Sequence, residues 1–317
     1  MSATLAPVAR RVRHFVSLGD LTPDELERLL EDALAQKRDP TPADRPLRGR
    51  SLAMLFEKPS LRTRVSFEMA MVQLGGHATY LSPAEVGLGR RESVADVARV
   101  VSRYVDGIVL RTFAHETTEE FARWSSVPVI NGLSDRSHPC QGLADILTVR
   151  ERKGTGPDVA VTYIGDGNNV CHSLMLGVAL AGQTLRVATP AGYEPDGAFL
   201  AKAREIARAT GATLTLGSDP REAVRGADVV YTDVWTSMGQ EQEYERRRRD
   251  FQGYQLNAAL LRLAKDDAIV MHDLPAHRGE EITDDVMDGP QSAVFDQAEN
   301  RLHAQKALAR WLLGRPR

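Results

Sequence analysis

The sequence has 317 residues, a length that exceeds one typical domain and predicts two domains sharing a cleft. Lysine and arginine total 40 against 43 aspartates and glutamates, so the formal net charge is -3; since no long basic stripe is present, nucleic acid is not an expected partner. No apolar run approaches the roughly 20 residues of a membrane span, and residues 1–13 lack the apolar centre of a signal sequence, so we expect a cytoplasmic protein.

Two cysteines, Cys140 and Cys171, are the only ones in the chain. This number is too small for a disulfide scaffold or for a metal site built from thiolates. We therefore expect two free thiols.

The first secondary-structure signal is a helix start. Thr22-Pro23-Asp24-Glu25 forms a capping box with proline in the first turn, and apolar residues follow at helical spacing. After a polar connector, Ser51 to Phe56 reads as a strand that leads into a second helix ending at Gly75-Gly76. These elements predict a strand-turn-helix unit.

The start of that second helix combines hydroxyl and guanidinium groups. Ser60 and Thr63 alternate with Arg62 and Arg64 where the helix offers unpaired backbone N–H groups and the positive end of its dipole. A capped surface helix with solvated arginines is the alternative. The density of these groups within five residues favours a phosphate site.

The rest of the first half continues to alternate. Strands are predicted at Thr79 to Leu81, Ile108 to Phe113 and Val127 to Ile130, and helices at Ser93 to Asp106, Glu116 to Trp124 and Gln141 to Arg152. Arg111 lies near the carboxyl end of its strand.

Glycine and proline at Gly154 to Pro157 indicate a domain boundary, after which strands and helices alternate again. The further strands are Asp158 to Ile164, Thr184 to Ala188, Ala212 to Leu216, Asp228 to Thr232 and Ala268 to Met271, with helices at Cys171 to Leu180, Gly197 to Ala209 and Leu256 to Ala264. A last helix, Gln297 to Leu313, is long enough to return across the junction.

The predicted fold class is therefore α/β: two doubly wound parallel-sheet domains with an active-site cleft between them and a C-terminal helix that crosses back. We expect the first domain to span residues 1–150, completed by 297–317, and the second 151–296. The segment Gln240 to Gln255, with arginine at 246 to 249, lacks periodicity and is interpreted as a solvated, mobile loop. A function for the arginine run itself is the less favoured interpretation.

Polar residues follow several predicted strands, at the edge where open α/β sheets bind ligands. They are Ser60 to Arg64, Arg111, His138 to Gln141, Gly165 to Asn169, Asp233 to Gly239 and His272 to Pro275. Singly, His138 or His272 is more often a structural histidine, and Asp233 can cap a turn. Their shared position favours one common site.

Two cofactor interpretations are weaker. Gly165-Asp166-Gly167 follows a strand and precedes a helix, as in a dinucleotide fingerprint, but the third glycine is missing and Asn168-Asn169 suits a small polar ligand better. His272 and His277 are five residues apart, which does not match the pairing of a helical metal site.

Taken together, these motifs resemble the aspartate/ornithine carbamoyltransferase family, in its ornithine branch. The resemblance runs close to full length through Phe56 to Glu68, Ser102 to Gly107, Arg111 to Phe113, Val129 to Asp135, His138 to Asp145, Gly165 to Asn169, Asp233 to Glu241, Pro275 to Glu281 and Asn300 to Lys306. It implies transfer of a carbamoyl group from carbamoyl phosphate to ornithine, giving citrulline and phosphate in arginine metabolism. It also implies a cytoplasmic homotrimer, or a multiple of it, with no metal or organic cofactor.

The resemblance also assigns residues. It implies carbamoyl phosphate binding by Ser60, Leu61, Arg62, Thr63, Arg111, His138, Gln141, Asp273, Leu274 and Arg301. It implies ornithine binding by Asn169, Asp233, Ser237 and Met238. The expected catalytic residues are Arg111, His138 and Asp273.

Three positions depart from the family pattern. Gly87 stands where relatives place a glutamine or histidine that reaches carbamoyl phosphate, and Leu61 replaces a threonine. Asp273 replaces the cysteine of a His-Cys-Leu-Pro motif, and it either meets the attacking amine or turns away to bond to backbone or to Arg278. These departures leave two alternatives open: a carbamoyltransferase for a related amine such as putrescine or N-acetylornithine, or a catalytically impaired binding paralogue.

Overall fold

The computed structural model describes residues 12–88, 91–237 and 239–314. In chain order, the first half contains α1 (Pro23–Arg38), β1 (Ser51–Phe56), α2 (Leu61–Gln73), β2 (His77–Leu81), α3 (Pro83–Val86), α4 (Val94–Val101), β3 (Gly107–Arg111), α5 (His115–Trp124), β4 (Val129–Leu133) and α6 (Pro139–Lys153). The second half contains β5 (Ala160–Ile164), α7 (Asn169–Leu180), β6 (Thr184–Ala188), α8 (Gly197–Thr210), β7 (Thr213–Gly217), α9 (Pro220–Val224), β8 (Val229–Thr232), α10 (Tyr244–Asp250), α11 (Ala258–Leu261), β9 (Ile269–Met271), α12 (Asp284–Met287) and α13 (Val294–Leu313).

The strands form two parallel sheets. The first has the order β2-β1-β3-β4 and the second β7-β6-β5-β8-β9. In each sheet the chain winds in both directions from a central pair, β1 and β3 in the first and β5 and β8 in the second. Loops diverge at the carboxyl ends of such a pair and leave a crevice for a ligand. The predicted doubly wound sheets are confirmed.

The last helix joins the two halves. α13 packs against α1, α2 and α6, so the end of the chain covers the first sheet. Lys306 of this helix is fully buried, and its Nζ donates to the carbonyl oxygen of Pro40 at 2.7 Å. The expected return of the C-terminal helix is confirmed, and it carries Arg301 into the space between the sheets.

Local capping explains why the predicted start of α1 is accurate, whereas α6, α7 and α13 begin two or three residues before their predicted starts. The Thr22 hydroxyl accepts from the Glu25 amide at 3.3 Å, and the Glu25 carboxylate accepts from the Thr22 amide at 2.9 Å. These two bonds satisfy backbone donors that the first turn leaves free. Predicted ends are less accurate: the helix expected over Ser93 to Asp106 stops at Val101, because the chain then closes into a turn.

The interpretation of Gln240 to Gln255 as a mobile loop is wrong. Residues Glu241–Glu243 form a 3-10 turn, and α10 follows directly. Arg247, the second of the four consecutive arginines, is only 6% exposed, while its three neighbours in the run are on the surface. Arg247 on this helix donates to buried acceptors on Asp166 and Trp235, and hydrophobic periodicity cannot reveal such bonds.

Cys140 and Cys171 are buried free thiols, as predicted. Burial raises the pKa of the Cys140 thiol to about 12, so this thiol stays protonated. Among the described residues, none of the helices has the length and apolar character that crossing a bilayer requires.

Candidate active site

A cavity of about 900 Å³ lies between the two sheets, at the carboxyl ends of their strands. It is walled by the segments that follow β1, β3, β4, β5, β8 and β9, and by α13. The structure brings most of the residues assigned from the sequence to its wall: Ser60, Leu61, Arg62, Thr63, Arg111, His138, Asn169, Asp233, Ser237, Asp273, Leu274 and Arg301. Met238 lies outside the described residues.

Positive charge is concentrated on one side of the cavity. Arg62 from α2, Arg111 from the end of β3, and Arg301 from α13 face the same space, together with Lys58. Burial and the nearby Arg301 and Arg62 guanidinium groups lower the pKa of Arg111 to about 10. Burial and Arg111 likewise lower the pKa of Lys58. Cations that depress one another's pKa are stabilised when an anion enters, so this side is built for an anion.

The first turn of α2 provides the backbone for that anion. The Ser60 hydroxyl caps the helix by accepting from the Thr63 amide at 3.3 Å, and the Thr63 hydroxyl accepts from Arg301 Nη2 at 3.1 Å. The Leu61 side chain is 77% exposed, so position 61 can contribute its backbone to a ligand whatever its side chain. The sequence predicts Arg64 as part of the phosphate site, and this prediction is wrong. The Arg64 guanidinium stacks 4.2 Å from the ring centroid of Tyr80 instead.

His138 lies against the same cations. Burial, and then the charges of Arg301, Arg111 and Arg62, hold the pKa of this imidazole well below its usual range. Nδ1 of His138 and Nε of Arg111 are both buried without a hydrogen-bond partner among the described residues. Unpaired buried polar atoms are costly unless a ligand completes their bonds. His138 is therefore a neutral imidazole beside a charged site.

A buried polar chain holds Arg301 in place. Arg301 Nη1 donates to Gln141 Oε1 at 2.7 Å, and Gln141 Nε2 donates to Asp145 Oδ1 at 2.8 Å. Asp145 also accepts from Gln297 and from the hydroxyl of Tyr231. Burial raises the pKa of Asp145 to about 7 against these bonds. Gln141 thus lies behind Arg301, and its direct contact with a carbamoyl group stays a prediction.

The opposite side of the cavity carries carboxylates and amides. Asp233 Oδ2 accepts from Asn168 Nδ2 at 2.7 Å, and Asp233 Oδ1 accepts from the Val234 amide at 2.7 Å. Asn169 Nδ2 donates to the Ser134 carbonyl oxygen at 2.6 Å, which ties the two halves of the chain together. Asn168, which precedes the assigned Asn169, therefore orients Asp233, a role the sequence did not reveal.

Asp273 lies between the two sides. Carboxylate oxygens of Asp273 and Asp233 lie within 4.8 Å of each other, and Asp273 Oδ1 is buried without a hydrogen-bond partner among the described residues. Burial and the adjacent Asp233 carboxylate raise the pKa of Asp273 well above its ordinary value. The alternative bond to Arg278 is not formed, since Arg278 binds Asp284 and Asp288.

His272 fixes the segment that carries Asp273. Its Nδ1 accepts from the Leu274 amide at 2.9 Å, so Nε2 is left to donate to Glu281 Oε1 at 3.1 Å. Leu274 takes a left-handed backbone conformation, with φ of 62°, and its carbonyl oxygen accepts from Arg62 Nη2 at 2.7 Å. Both His272 nitrogens are thereby occupied, so the group Asp233, His272 and Asp273 has only its carboxylates left for a metal ion.

The turn after β5 also argues against a dinucleotide. A Cβ at Gly167 would lie 2.4 Å from the Pro195 nitrogen and 2.5 Å from the Glu194 carbonyl carbon. This glycine is needed because the chain at 193–195 packs directly on the turn. The turn is therefore closely covered by the segment at 193–195, and it also lacks the third glycine of the dinucleotide fingerprint.

Sequence reasoning missed several residues of the cavity wall. They are Lys58, Phe113, Leu133, Asp135, Tyr244 and His277. Lys58 lies two residues before Ser60, so its position beside the predicted phosphate site could have identified it. Its Nζ lies 4.5 Å from the Phe113 ring centroid. Tyr244 begins α10, in the segment that the sequence pattern predicts as a loop.

Comparison with known proteins finds relatives over nearly the whole chain. Residues 13–151 match the family model described as aspartate/ornithine carbamoyltransferase, carbamoyl-P binding domain, and residues 157–312 match its Asp/Orn binding domain. A relative from Acidothermus cellulolyticus named ornithine carbamoyltransferase is 56% identical over 95% of this chain and 97% of its own length. One of the same name from Pyrococcus horikoshii is 54% identical over 97% of this chain and 98% of its own length.

Solved structures agree with these matches. The ornithine carbamoyltransferase from Pyrococcus furiosus superposes with a TM-score of 0.93 at 52% identity, covering 98% of this chain and 100% of that one. The anabolic ornithine carbamoyltransferase from Campylobacter jejuni gives 0.91 at 39% identity, covering 95% of this chain and 99% of that one. The likeness extends over both sheets and α13.

The cation cluster predicts a measurable difference between two arginines of α2. Arg62→Ala removes a charge that faces the cavity, whereas Arg64→Ala removes one that stacks on Tyr80. Losing one charge-assisted partner costs on the order of 2 kcal/mol, about thirtyfold in affinity. We expect the dissociation constant of inorganic phosphate, measured by thermal-shift titration, to rise about thirtyfold in Arg62→Ala only. Equal constants in the two variants would contradict the cluster as the anion site.

Proposed function

Because this chain belongs to the aspartate/ornithine carbamoyltransferase family, we propose that its cleft transfers the carbamoyl group of carbamoyl phosphate to the δ-amine of L-ornithine, giving L-citrulline and phosphate. One observation carries the proposal: a cavity lined by both matched regions holds a cation cluster on one side and paired carboxylates on the other. The two substrates have the charges that these sides attract, a phosphate and an amino acid with a second amine. The relatives' names supply the substrate pair.

The phosphate of carbamoyl phosphate is assigned to the start of α2. Backbone N–H groups at Leu61 and the next residues, the hydroxyls of Ser60 and Thr63, and the Arg62 guanidinium offer donors in one place. A helix N-terminus favours an anion through its dipole and its free donors. Leu274 supports this arrangement from the other domain, since its carbonyl oxygen orients Arg62.

The carbamoyl group is assigned to Arg111, His138 and Arg301. When the amine attacks, the carbamoyl carbon becomes tetrahedral and its oxygen gains negative charge. Donors already aimed at that oxygen stabilise the transition state more than the ground state. His138 suits this role as a neutral donor, and Gln141 serves it indirectly by holding Arg301.

The α-amino and α-carboxylate ends of ornithine are assigned to Asn169, Asp233, Ser237 and Met238. A carboxylate is the natural partner of an ammonium, and a hydroxyl with nearby backbone N–H groups suits a carboxylate. Asp233 is held ready by Asn168, and Ser237 lies in the same segment after β8. This places the side chain of ornithine toward Asp273 and the cation cluster.

Asp273 is assigned the proton of the attacking amine. The δ-amine resembles lysine, with a free pKa near about 10.4, so at pH 7.5 its deprotonation costs about 4 kcal/mol. In the reaction, the ammonium first releases one proton to solvent, and the neutral amine nitrogen then bonds to the carbamoyl carbon while Asp273 takes a second proton. The carbon–oxygen bond to phosphate then breaks, and the leaving group takes up that proton and departs as HPO₄²⁻.

The charges around Asp273 come from several elements. Burial, then Asp233 and Asp145, raise the pKa of Asp273, while Arg62 opposes them. The charge of Asp273 also raises the pKa values of Arg111 and Arg301 against the effect of their burial. Like charges close together disfavour ionisation of both carboxyls. An arriving ammonium reverses that balance and makes Asp273 a base.

The domain division, the location and the assembly belong to the same proposal. We assign carbamoyl phosphate binding to residues 1–150 with 297–317, and ornithine binding to 151–296, in a cytoplasmic homotrimer of arginine metabolism. An apolar stripe on α2 supports self-association: Leu61, Val65, Met69 and Val72 are between 40% and 77% exposed. Spacing of three to four residues puts these side chains on one helix face, and exposed apolar patches mark interfaces.

The activity is tested by incubating the protein with carbamoyl phosphate and L-ornithine and measuring citrulline. We expect citrulline formation at a rate far above that without protein. Parallel reactions with putrescine, N-acetylornithine and L-aspartate are expected to give little product, and a preference for any of them would overturn the substrate assignment. Tight binding of carbamoyl phosphate with no turnover of any amine would instead favour an impaired binding paralogue.

The assembly is tested by sedimentation. We expect the wild type to sediment as a trimer of the 34.8 kDa chain. Because charge is costly in an apolar interface, the double variant Val65→Glu with Val72→Glu should dissociate. Val100→Glu, a change at a similarly exposed valine on α4, is the control and should stay trimeric. A monomeric wild type, or a trimeric double variant, would refute the assignment of this face.

The role of Asp273 is tested by Asp273→Cys and by the neutral isostere Asp273→Asn. Attraction by a carboxylate improves ornithine binding but holds the amine protonated, and protonation of the same carboxylate removes the base at low pH. Removing the Asp273 carboxylate should therefore raise the KM for ornithine roughly tenfold and shift the pH optimum of the Cys variant downward. Rates measured from pH 6 to 10 decide the matter, and superimposable profiles would exclude contact between Asp273 and the amine.

A further inference from the structure

The buried arginine of α10 contacts three different parts of the chain. Arg247 Nη1 donates to Asp166 Oδ2 at 2.7 Å and to the Trp235 carbonyl oxygen at 3.0 Å, and its Nε donates to Glu243 Oε2 at 2.9 Å. Its side chain is 7% exposed, and that of Asp166 is 9% exposed. Arg247 thus makes three hydrogen bonds, through Nε and Nη1, from a buried position.

Two of these partners belong to the loops assigned to the amino acid. Asp166 lies in the turn after β5, two residues before Asn168, which orients Asp233. Trp235 lies in the segment after β8, two residues before Ser237. Arg247 reaches both loops from a separate, solvent-open depression beside the cleft, so it contacts the loops without lining the substrate cavity.

Aromatic packing fixes the guanidinium between the loops. The Arg247 Cζ atom lies 5.0 Å from the ring centroid of Tyr193, and the Tyr193 ring packs edge-on against Phe251 at 4.7 Å. Phe251 in turn stacks on Trp235 at 5.7 Å. These rings pack beside the guanidinium while it bonds to both loops, so Arg247 links the two loops within a packed environment.

We propose that Arg247 is a positioning residue for the amino-acid substrate: by bonding Asp166 and Trp235 at once, it holds the β5 and β8 loops at the distance that ornithine binding requires. The inference rests on the proposed function and deepens it. Asp233 and Asn169 would meet ornithine from the two loops, whereas the phosphate end of carbamoyl phosphate is assigned to the start of α2. Loss of the bonds from Arg247 to the two loops should therefore weaken the binding of the amino acid and leave the binding of carbamoyl phosphate unchanged.

A purely structural role predicts a different result. Removing one partner of a buried ion pair leaves the other charge uncompensated, which destabilises a protein without reference to any ligand. Removing both partners eliminates that uncompensated charge. The double change Arg247→Met with Asp166→Asn should therefore recover stability, while the loops remain unlinked.

The experiment compares Arg247→Met with Arg249→Met, an identical change at an exposed position of the same helix. Four quantities are measured for each protein: the KM for ornithine, the KM for carbamoyl phosphate, the melting temperature, and the affinity for L-norvaline at saturating carbamoyl phosphate. Norvaline is ornithine without its δ-amine, so its binding, measured by calorimetry, reports the α-amino-acid end without turnover.

For Arg247→Met we expect the ornithine KM and the norvaline dissociation constant to rise at least about tenfold, with the carbamoyl phosphate KM within about twofold of the wild type. The control should match the wild type throughout. Arg247→Lys keeps the charge but cannot reach both acceptors, so it should recover stability more than affinity. The double variant should recover its melting temperature and keep the weak norvaline binding.

The inference is overturned if the double variant recovers norvaline affinity together with its melting temperature. It is also overturned if Arg247→Met raises the KM values of both substrates equally. A variant that does not fold at all is resolved by Arg247→Lys, since this protein keeps the buried charge. Wild-type protein that makes no citrulline would refute the proposed function. Wild-type activity with unchanged norvaline binding in Arg247→Met would refute the positioning role alone.

Discussion

The arrangement of the cleft depends on the burial of several positive charges in one small volume. Arg111 and Arg301 are pressed together with Arg62, and the depressed pKa values of Arg111 and Arg301 record the cost of burying them. Burying such a cluster is costly unless acceptors hold the guanidinium groups and a ligand anion completes the balance. The surrounding structure supplies acceptors for Arg301 and Arg62, whereas Arg111 Nε is buried without a partner among the described residues.

The acceptors come from distant parts of the chain. Thr63 and Gln141 hold Arg301, the Leu274 carbonyl holds Arg62, and Asp145 holds Gln141. The chain supplies these groups from α2, from α6 and from the segment after β9, and α13 returns to bring Arg301 among them. The cleft is therefore a joint product of both sheets, because neither half contains the cations and all of their acceptors.

The sequence predicts where the strands lie to within three residues at their ends, since buried runs and turn residues are local signals. Parallel topology then brings Ser60 and Arg111 to one edge of the first sheet, and Asp233 to the corresponding edge of the second. The sequence predicts poorly which polar residue meets which. Arg247 looks like its solvated neighbours because its partner Asp166 is 81 residues away. Arg64 resembles Arg62 in the sequence, yet the two point to different sides of α2. Such choices depend on tertiary partners that no local pattern contains.

The carboxylate at position 273 has to satisfy both sides of the cleft. An ionised Asp273 would cancel part of the positive field that attracts carbamoyl phosphate. Burial and the nearby Asp233 raise its pKa, and a neutral Asp273 leaves that field intact in the empty cleft. In the mechanism we propose, the ammonium of ornithine then favours ionisation, and the proton acceptor is created at the moment the amine arrives. In this proposed mechanism, the two opposite sites can be neighbours because the charge of Asp273 between them changes when ornithine binds.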